Sequence, residues 1–313
     1  MSRDEGPAAA EKPFTPQPSR FYDGGVDAGK GQKEISPVPG SKARIELVRY
    51  ADGGGEQFAM QRRIAYDDRH FGELLVPRET RTFRSDLTSV PALFTWLVPK
   101  TGEHLPATLL HDGLIHPPGE ETYTSSQDRK VLRVEADRVL RDAMADAGTA
   151  LIRRWLIWSA VATATMLDGG GTDWSKGLRW YYRATAALTV LLILALGSYA
   201  FFDLFDVITG TPTLPWMGDR PWFVELVGGL SGAVVIPLVL ALFWGPFRIA
   251  GAVVGVSLAV LLPVTVALLV PTVIYQVLER MAKAPKVALV LAGVLVVGAL
   301  AVLLVFSGSV LFR

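Results

Sequence analysis

Apolar and polar positions follow three rhythms along this chain, and each predicts a different kind of element. Residues 43–50 (ARIELVRY), 57–66 (QFAMQRRIAY) and 72–83 (GELLVPRETRTF) alternate, with a glycine-rich turn at 52–55 between the first two. A period of two marks half-buried strands, so this stretch predicts a small antiparallel sheet, broken at Pro77. The rhythm then becomes helical. Ser89 can cap a short helix carrying Leu93, Phe94, Trp96 and Leu97, and Pro106 starts a second that ends before Pro117-Pro118. After a polar loop at 119–127, Ser126 or Asp128 can cap a long helix over 129–147. Its Val131, Leu132, Val134, Val139, Leu140 and Met144 fit one stripe, and Gly148 ends it. Residues 150–167 predict a further helix rich in Trp155, Leu156, Ile157, Trp158 and Val161.

The third rhythm is unbroken apolarity. Runs at about 186–205, 223–244, 249–274 and 287–306 each reach the ~20 residues a helix needs to cross a bilayer. Trp174, Trp180, Tyr181, Tyr182, Trp216, Trp222 and Trp244 sit near the run ends, as interfacial aromatics do. Gly228, Gly229, Gly232, Gly251 and Gly255 offer small faces for close helix packing. The expected fold is therefore an α+β soluble domain, a small antiparallel sheet plus about four helices. An all-α transmembrane bundle of about four helices follows it. The expected boundaries are a disordered, proline-rich tail at 1–41, the soluble domain at 42–167, a glycine hinge and juxtamembrane segment at 168–185, and the membrane part at 186–313.

Charge sharpens this division. The chain has 31 Lys and Arg against 30 Asp and Glu, a formal net charge of +1, so no global field points to nucleic acid. Only 11 of these 61 charges lie beyond Arg183, which makes the first part water-facing and the second lipid-facing. Arg153, Arg154, Lys176, Arg179 and Arg183 precede the first run and Asp203 and Asp206 close it, which places the soluble part in the cytoplasm. Asp203 and Glu225 are the charges inside the runs and each sits near an end, so no intramembrane charge relay is read. The absence of cysteine excludes disulfides, thiolate metal sites and cysteine nucleophiles.

Chemistry is concentrated between residues 85 and 138, where SDLTSVP, LLHDGL and EADR set ionisable groups among Leu, Val and Ala. Such groups cost free energy unless they are hydrogen-bonded, paired or metal-bound. The candidate catalytic residues are His111, Asp112, Asp86, Asp137 and Ser89, and the candidate ligands of a divalent metal ion are His111, Asp112 and Asp137. On a helix His116 shares a face with Asp112. Blander readings stand beside these. Asp137 is one turn from both Arg133 and Arg141 and can be a plain ion pair, Asp86 and Ser89 can be helix caps, His111 can be a satisfied core histidine, and His104 and His70 can be exposed.

The motif order over about 64–170 resembles a phage and prophage family called domain of unknown function 1353. Its members read T-D-x-A-S-I/V-P, then A-x-x-x-H-D-x-L-Y, then D-x-x-F-x-x-A-M. Here Ser85 stands for the Thr, Thr88 for the Ala, Ile115 for the aromatic residue and Leu140 for the Phe, while Asp86, Ser89, His111, Asp112 and Asp137 match. The resemblance implies a phage-encoded context and no settled activity. The expectation is a multi-pass protein of the host inner membrane with its soluble domain in the cytoplasm. Its partners would be the lipid bilayer and phage or host envelope proteins, and its polar cluster would be a metal-dependent hydrolase site. The alternative is a binding, assembly or holin-like lysis protein without enzymatic activity.

Overall fold

The computed structural model describes residues 16–28, 33–50, 57–87, 98–99, 101–115, 122–205, 212–218 and 220–282. The chain divides into two compact units, one to Val260 and one from Leu261.

Among the described residues of the first unit, six strands form two antiparallel sheets. The larger has the order β1 (Phe21–Asp23), β4 (Ile64–Asp68), β5 (Gly72–Val76), β6 (Thr124–Ser125), and the smaller pairs β2 (Leu47–Tyr50) with β3 (Gln57–Met60). Three expectations are corrected here. The run 57–66 is two strands, because Arg62 and Arg63 turn away to Asp23 and to the carbonyl of Gly24, and β4 thereby changes sheets. Phe21 and Tyr22, expected in a disordered tail, are buried in β1, with Phe21 opposite Tyr66. The loop 119–127 contains β6, which pairs Thr124 with Leu75.

β5 shows the half-buried pattern most plainly: Leu74 and Val76 are buried, and Gly72, Glu73 and Leu75 are only partly covered. Pro77 has no N–H to extend the ladder.

Helix α1 (Leu105–Leu114) is the centre of the domain. Ala107, Thr108, Leu109, Leu110, His111, Gly113 and Leu114 are all buried, so it is covered almost all round. Each fully buried Leu contributes about 2 kcal/mol of transfer free energy. Helix α2 (Arg133–Asp146) packs on α1, and α3 (Leu151–Asp168) packs on α2. The start of α2 departs from expectation: Asp128 is left-handed (φ 51°), and the helix begins after Leu132, whose N–H donates to Glu135 Oε2 at 2.8 Å. The short helix expected at 89–98 lies almost entirely outside the described residues.

Asp168–Gly171, expected as a hinge, is closely tied. Arg183 donates to the carbonyls of Leu167 and Asp168, Thr172 Oγ1 donates to Gly169 O, and the N–H of Arg133 donates to Gly171 O. Helices α4 (Lys176–Leu204), α5 (Trp222–Ala241) and α6 (Arg248–Ala282) follow, with a 3-10 turn at Leu242–Phe247. Among the described residues two segments, rather than about four, are long and apolar enough to cross a membrane by length and composition: Lys176–Leu204 and Trp222–Leu262. The second joins the expected runs 223–244 and 249–274, because no polar loop separates them. It folds back at Gly245 (φ 56°, ψ −123°), so that Gly255 of α6 meets Pro237 of α5 and Ile193 of α4. The run 287–306 lies outside the described residues.

Candidate functional site

Two neighbouring side chains of α1 reach in different directions to two different partners. His111 is buried, and its Nε2 lies 2.9 Å from Oδ1 of Asp137, itself only 2% exposed on α2. An ionised carboxylate only accepts, so the ring N–H at Nε2 donates. The other oxygen, Asp137 Oδ2, is buried and finds no hydrogen-bond partner among the described residues. The ion-pair alternative for Asp137 is not what the fold selects. Arg133 bonds Thr165 and Asp168, and Arg141 bonds Asp142.

Asp112, one residue on, accepts a hydrogen bond from the Ser85 hydroxyl. Ser85 is held in turn from two sides. Its backbone bridges to Phe58, and its Oγ accepts from the N–H of Leu87 at 2.8 Å. Leu87 is left-handed (φ 70°), a conformation that costs a non-glycine residue ~1 kcal/mol. The Ser85 bond and the burial of the Leu87 side chain offset that cost.

Part of Asp112 reaches solvent, yet burial of the carboxyl dominates its acidity and pushes its pKa up to about 7. The Ser85 hydrogen bond and nearby His111 hold it back, and the charge of Asp86 pushes it further up. Asp86 is exposed and acts on the site through this field.

Two buried ion pairs fix α2, and with it Asp137, against the sheet. Asp146 accepts from Tyr66 Oη at 2.8 Å and from Arg69 at 2.7 and 2.9 Å. Asp68 accepts from Arg138 and from the N–H groups of His70 and Phe71, which hold its carboxyl below the usual carboxylate range against the opposing effect of burial. Asp137 lies one helical position before Arg138, on the stretch these pairs immobilise.

The structure thus brings together His111 with Asp137 and Asp112 with Ser85. Ser89, Thr88 and His116 lie outside the described residues. The three side chains expected as metal ligands divide into those two pairs, and no group of three His, Asp or Glu side chains is arranged to hold a metal among the described residues. His104, expected at the surface, is fully buried just before α1, with Nε2 3.0 Å from the carbonyl of Pro99. Ser85 was missed as a site residue; its signal was the hydroxyl in the position where the motif has Thr. A cleft of about 940 Å³ opens away from these pairs, lined by Lys33, Glu46, Tyr50, Arg62, Arg81 and Arg84.

Residues 58–161 match the family model described as protein of unknown function (DUF1353), roughly a third of the 313 residues. The matched stretch carries both polar pairs and ends before α4. No curated protein and no solved structure matches the chain.

Proposed function

We propose that this is a membrane-anchored protein whose N-terminal domain performs acid–base chemistry of the hydrolytic type at Asp112. The observation that supports it is the placing of a largely buried carboxyl, fixed by Ser85 and with part of its residue open to solvent, beside a buried His111–Asp137 pair. A carboxyl near neutrality exchanges its proton readily at physiological pH, and such groups accelerate proton transfer ~100- to 10,000-fold when in reach of the substrate. In this reading Asp112 takes the proton of a water that attacks the ester, phosphoester or amide centre, and gives it to the alcohol or amine that departs as that bond breaks. Ser85 orients Asp112, and His111 sets the local field, with Asp137 holding its ring in place. No step is assigned to a metal ion, since the described side chains do not converge as a ligand set.

The anchoring part of the reading rests on α4 and the α5–α6 hairpin, which expose Leu188, Leu191, Val227 and Val235. The partner is a lipid bilayer. The surplus of Arg and Lys before the apolar part of α4 supports a cytoplasmic side for the N-terminal domain. The motif resemblance makes the setting a phage-infected or lysogenic cell, with the inner membrane as the site of action.

The test is a carboxyl titration of Asp112 by 13C NMR in the full chain in detergent, paired with an assay of ester, phosphoester and amide hydrolysis. A midpoint near 7, together with an activity lost in Asp112→Asn and kept in Glu79→Gln, is expected. An Asp112 midpoint near 4 overturns the acid–base reading and leaves a non-enzymatic binding or assembly domain.

A further inference from the structure

The start of α4 and the turn between α5 and α6 are held at one level. Tyr181 Oη donates to the carbonyl of Phe243 at 2.6 Å, and Trp244 Nε1 donates to Thr189 Oγ1 at 3.1 Å. The Phe247 ring lies 5.8 Å from that of Trp174 and 5.4 Å from that of Tyr182. Four cations, Lys176, Arg179, Arg183 and Arg248, gather on this level, and all are exposed. Arg183 is stacked over Trp180 and bonded to the carbonyls of Leu167 and Asp168, and Arg179 is bonded to that of Thr172. Carbonyls position these guanidinium groups without cancelling their charge, and among the described residues none of the four cations forms an ion pair with a carboxylate. Asp173 and Asp168 are the nearby exposed acids, and Asp168 is paired with Arg133.

We infer that this collar binds the phosphate-bearing headgroups of an anionic lipid leaflet. The inference rests on the membrane reading above and names the lipid chemistry that reading leaves open. A free phosphate or a soluble acidic partner would explain the cations only. The same level also exposes Leu242, Phe243 and Trp180, at 70%, 61% and 67%, and those side chains need an apolar neighbour. A headgroup with its acyl chains meets both demands: the phosphate faces the cations, and the chains cover Leu242 and Phe243. Trp180 and Tyr181 have the apolar body and polar tip that suit the boundary. The far end of α4 and the start of α5 carry Asp203 and Glu225 with Arg220, so on these two helices the positive surplus belongs to one end.

The experiment uses the full chain purified in neutral detergent. Short-chain phosphatidylglycerol, phosphatidylcholine and inorganic phosphate are titrated separately while tryptophan fluorescence is followed, and the chain is then reconstituted into vesicles of each lipid. Saturable binding of phosphatidylglycerol, weakened by salt and about fivefold by each cation removed in Lys176→Gln and Arg248→Gln, is expected. Arg220→Gln, at the far end, is expected to leave it unchanged. Equal binding of the two lipids, or equal weakening by Arg220→Gln, overturns the collar while the membrane reading stands. Competition by inorganic phosphate at the same concentrations overturns the commitment to lipid. Failure to enter vesicles of either composition overturns the membrane reading itself.

Discussion

His111 and Asp137 form a buried pair, 2.9 Å apart, that joins α1 to α2 through the centre of the domain. Removing one partner strands the other without water. His111→Ala and Asp137→Ala are each expected to cost about 2–4 kcal/mol, read from denaturant unfolding of the full chain. The double substitution is expected to cost at least ~1 kcal/mol less than the sum, since the stranded group is then gone as well. Additive losses would show that the two side chains do not act as a pair. Asp137→Asn keeps the shape and one acceptor and is expected to cost less than Asp137→Ala.

The raised pKa of Asp112 turns the usual carboxylate dependence around. Its folded value, about 7, lies above the unfolded value of 3.8, so between these pH values the folded state holds more protons. The contribution of Asp112 to stability is therefore fully present below about 4 and is lost as pH rises through 7. Water reaches part of the residue, so the loss is set at ~2 kcal/mol rather than the full shift. Asp68 works in the other direction: its lowered value stabilises at neutral pH, and that contribution is lost on acidification below about 4. The difference in unfolding free energy between the wild type and Asp112→Asn isolates the Asp112 part. It is expected to move in favour of Asn between pH 4 and 8, and a flat difference would refute the shift.

The elements readable in the sequence are those whose ends carry chemical punctuation. α1 carries Pro106 in its first turn and α3 is capped by Gly169, and both match the apolar periodicity. β1 was hidden because three residues amid prolines carry no period, and only the pairing with β4 gives Phe21 a place to bury. The split of 57–66 was hidden because alternation continues through Gln61-Arg62-Arg63, while the carboxylate that draws Arg62 aside is Asp23, far away in sequence. The same limit applies at the site. His111, Asp112 and Asp137 were legible as costly polar groups among apolar ones, but which partner each would take depends on the packing of α1 between α2 and β5. Ser85 enters only through that packing.

Asp146 ties the sheet to α2 through Tyr66 and Arg69, and its side chain is fully buried. Its replacement by Ala leaves a phenol and a guanidinium facing an apolar interior. The expected loss is about 3–5 kcal/mol, larger than for Arg69→Ala, which removes a quarter-exposed partner. Chemical denaturation of the two variants checks the order, and a smaller loss for Asp146→Ala would show that water reaches the vacated pair.

Gly113 follows His111-Asp112 on α1 because the helix rests directly on β5 at that point. A Cβ there would stand 2.3 Å from Cγ1 and 3.0 Å from Cγ2 of Val76, whose side chain is fully buried and has nowhere to turn. Gly113→Ala therefore has to lift α1 from the sheet, despite the helix propensity of alanine, and is expected to destabilise by about 1–3 kcal/mol. Val76→Ala alone leaves a cavity and costs a comparable amount. Combined, the two changes trade one methyl against two, and the pair is expected to be more stable than the sum of the single losses by ~1 kcal/mol or more. Gly177→Ala is the control, since that position on α4 has no atom within 4 Å of the added methyl, and it is expected to be neutral or slightly stabilising. Thermal unfolding of the four variants in detergent decides the matter. If Val76→Ala fails to relieve Gly113→Ala, the contact between α1 and β5 does not set the position of His111 and Asp112.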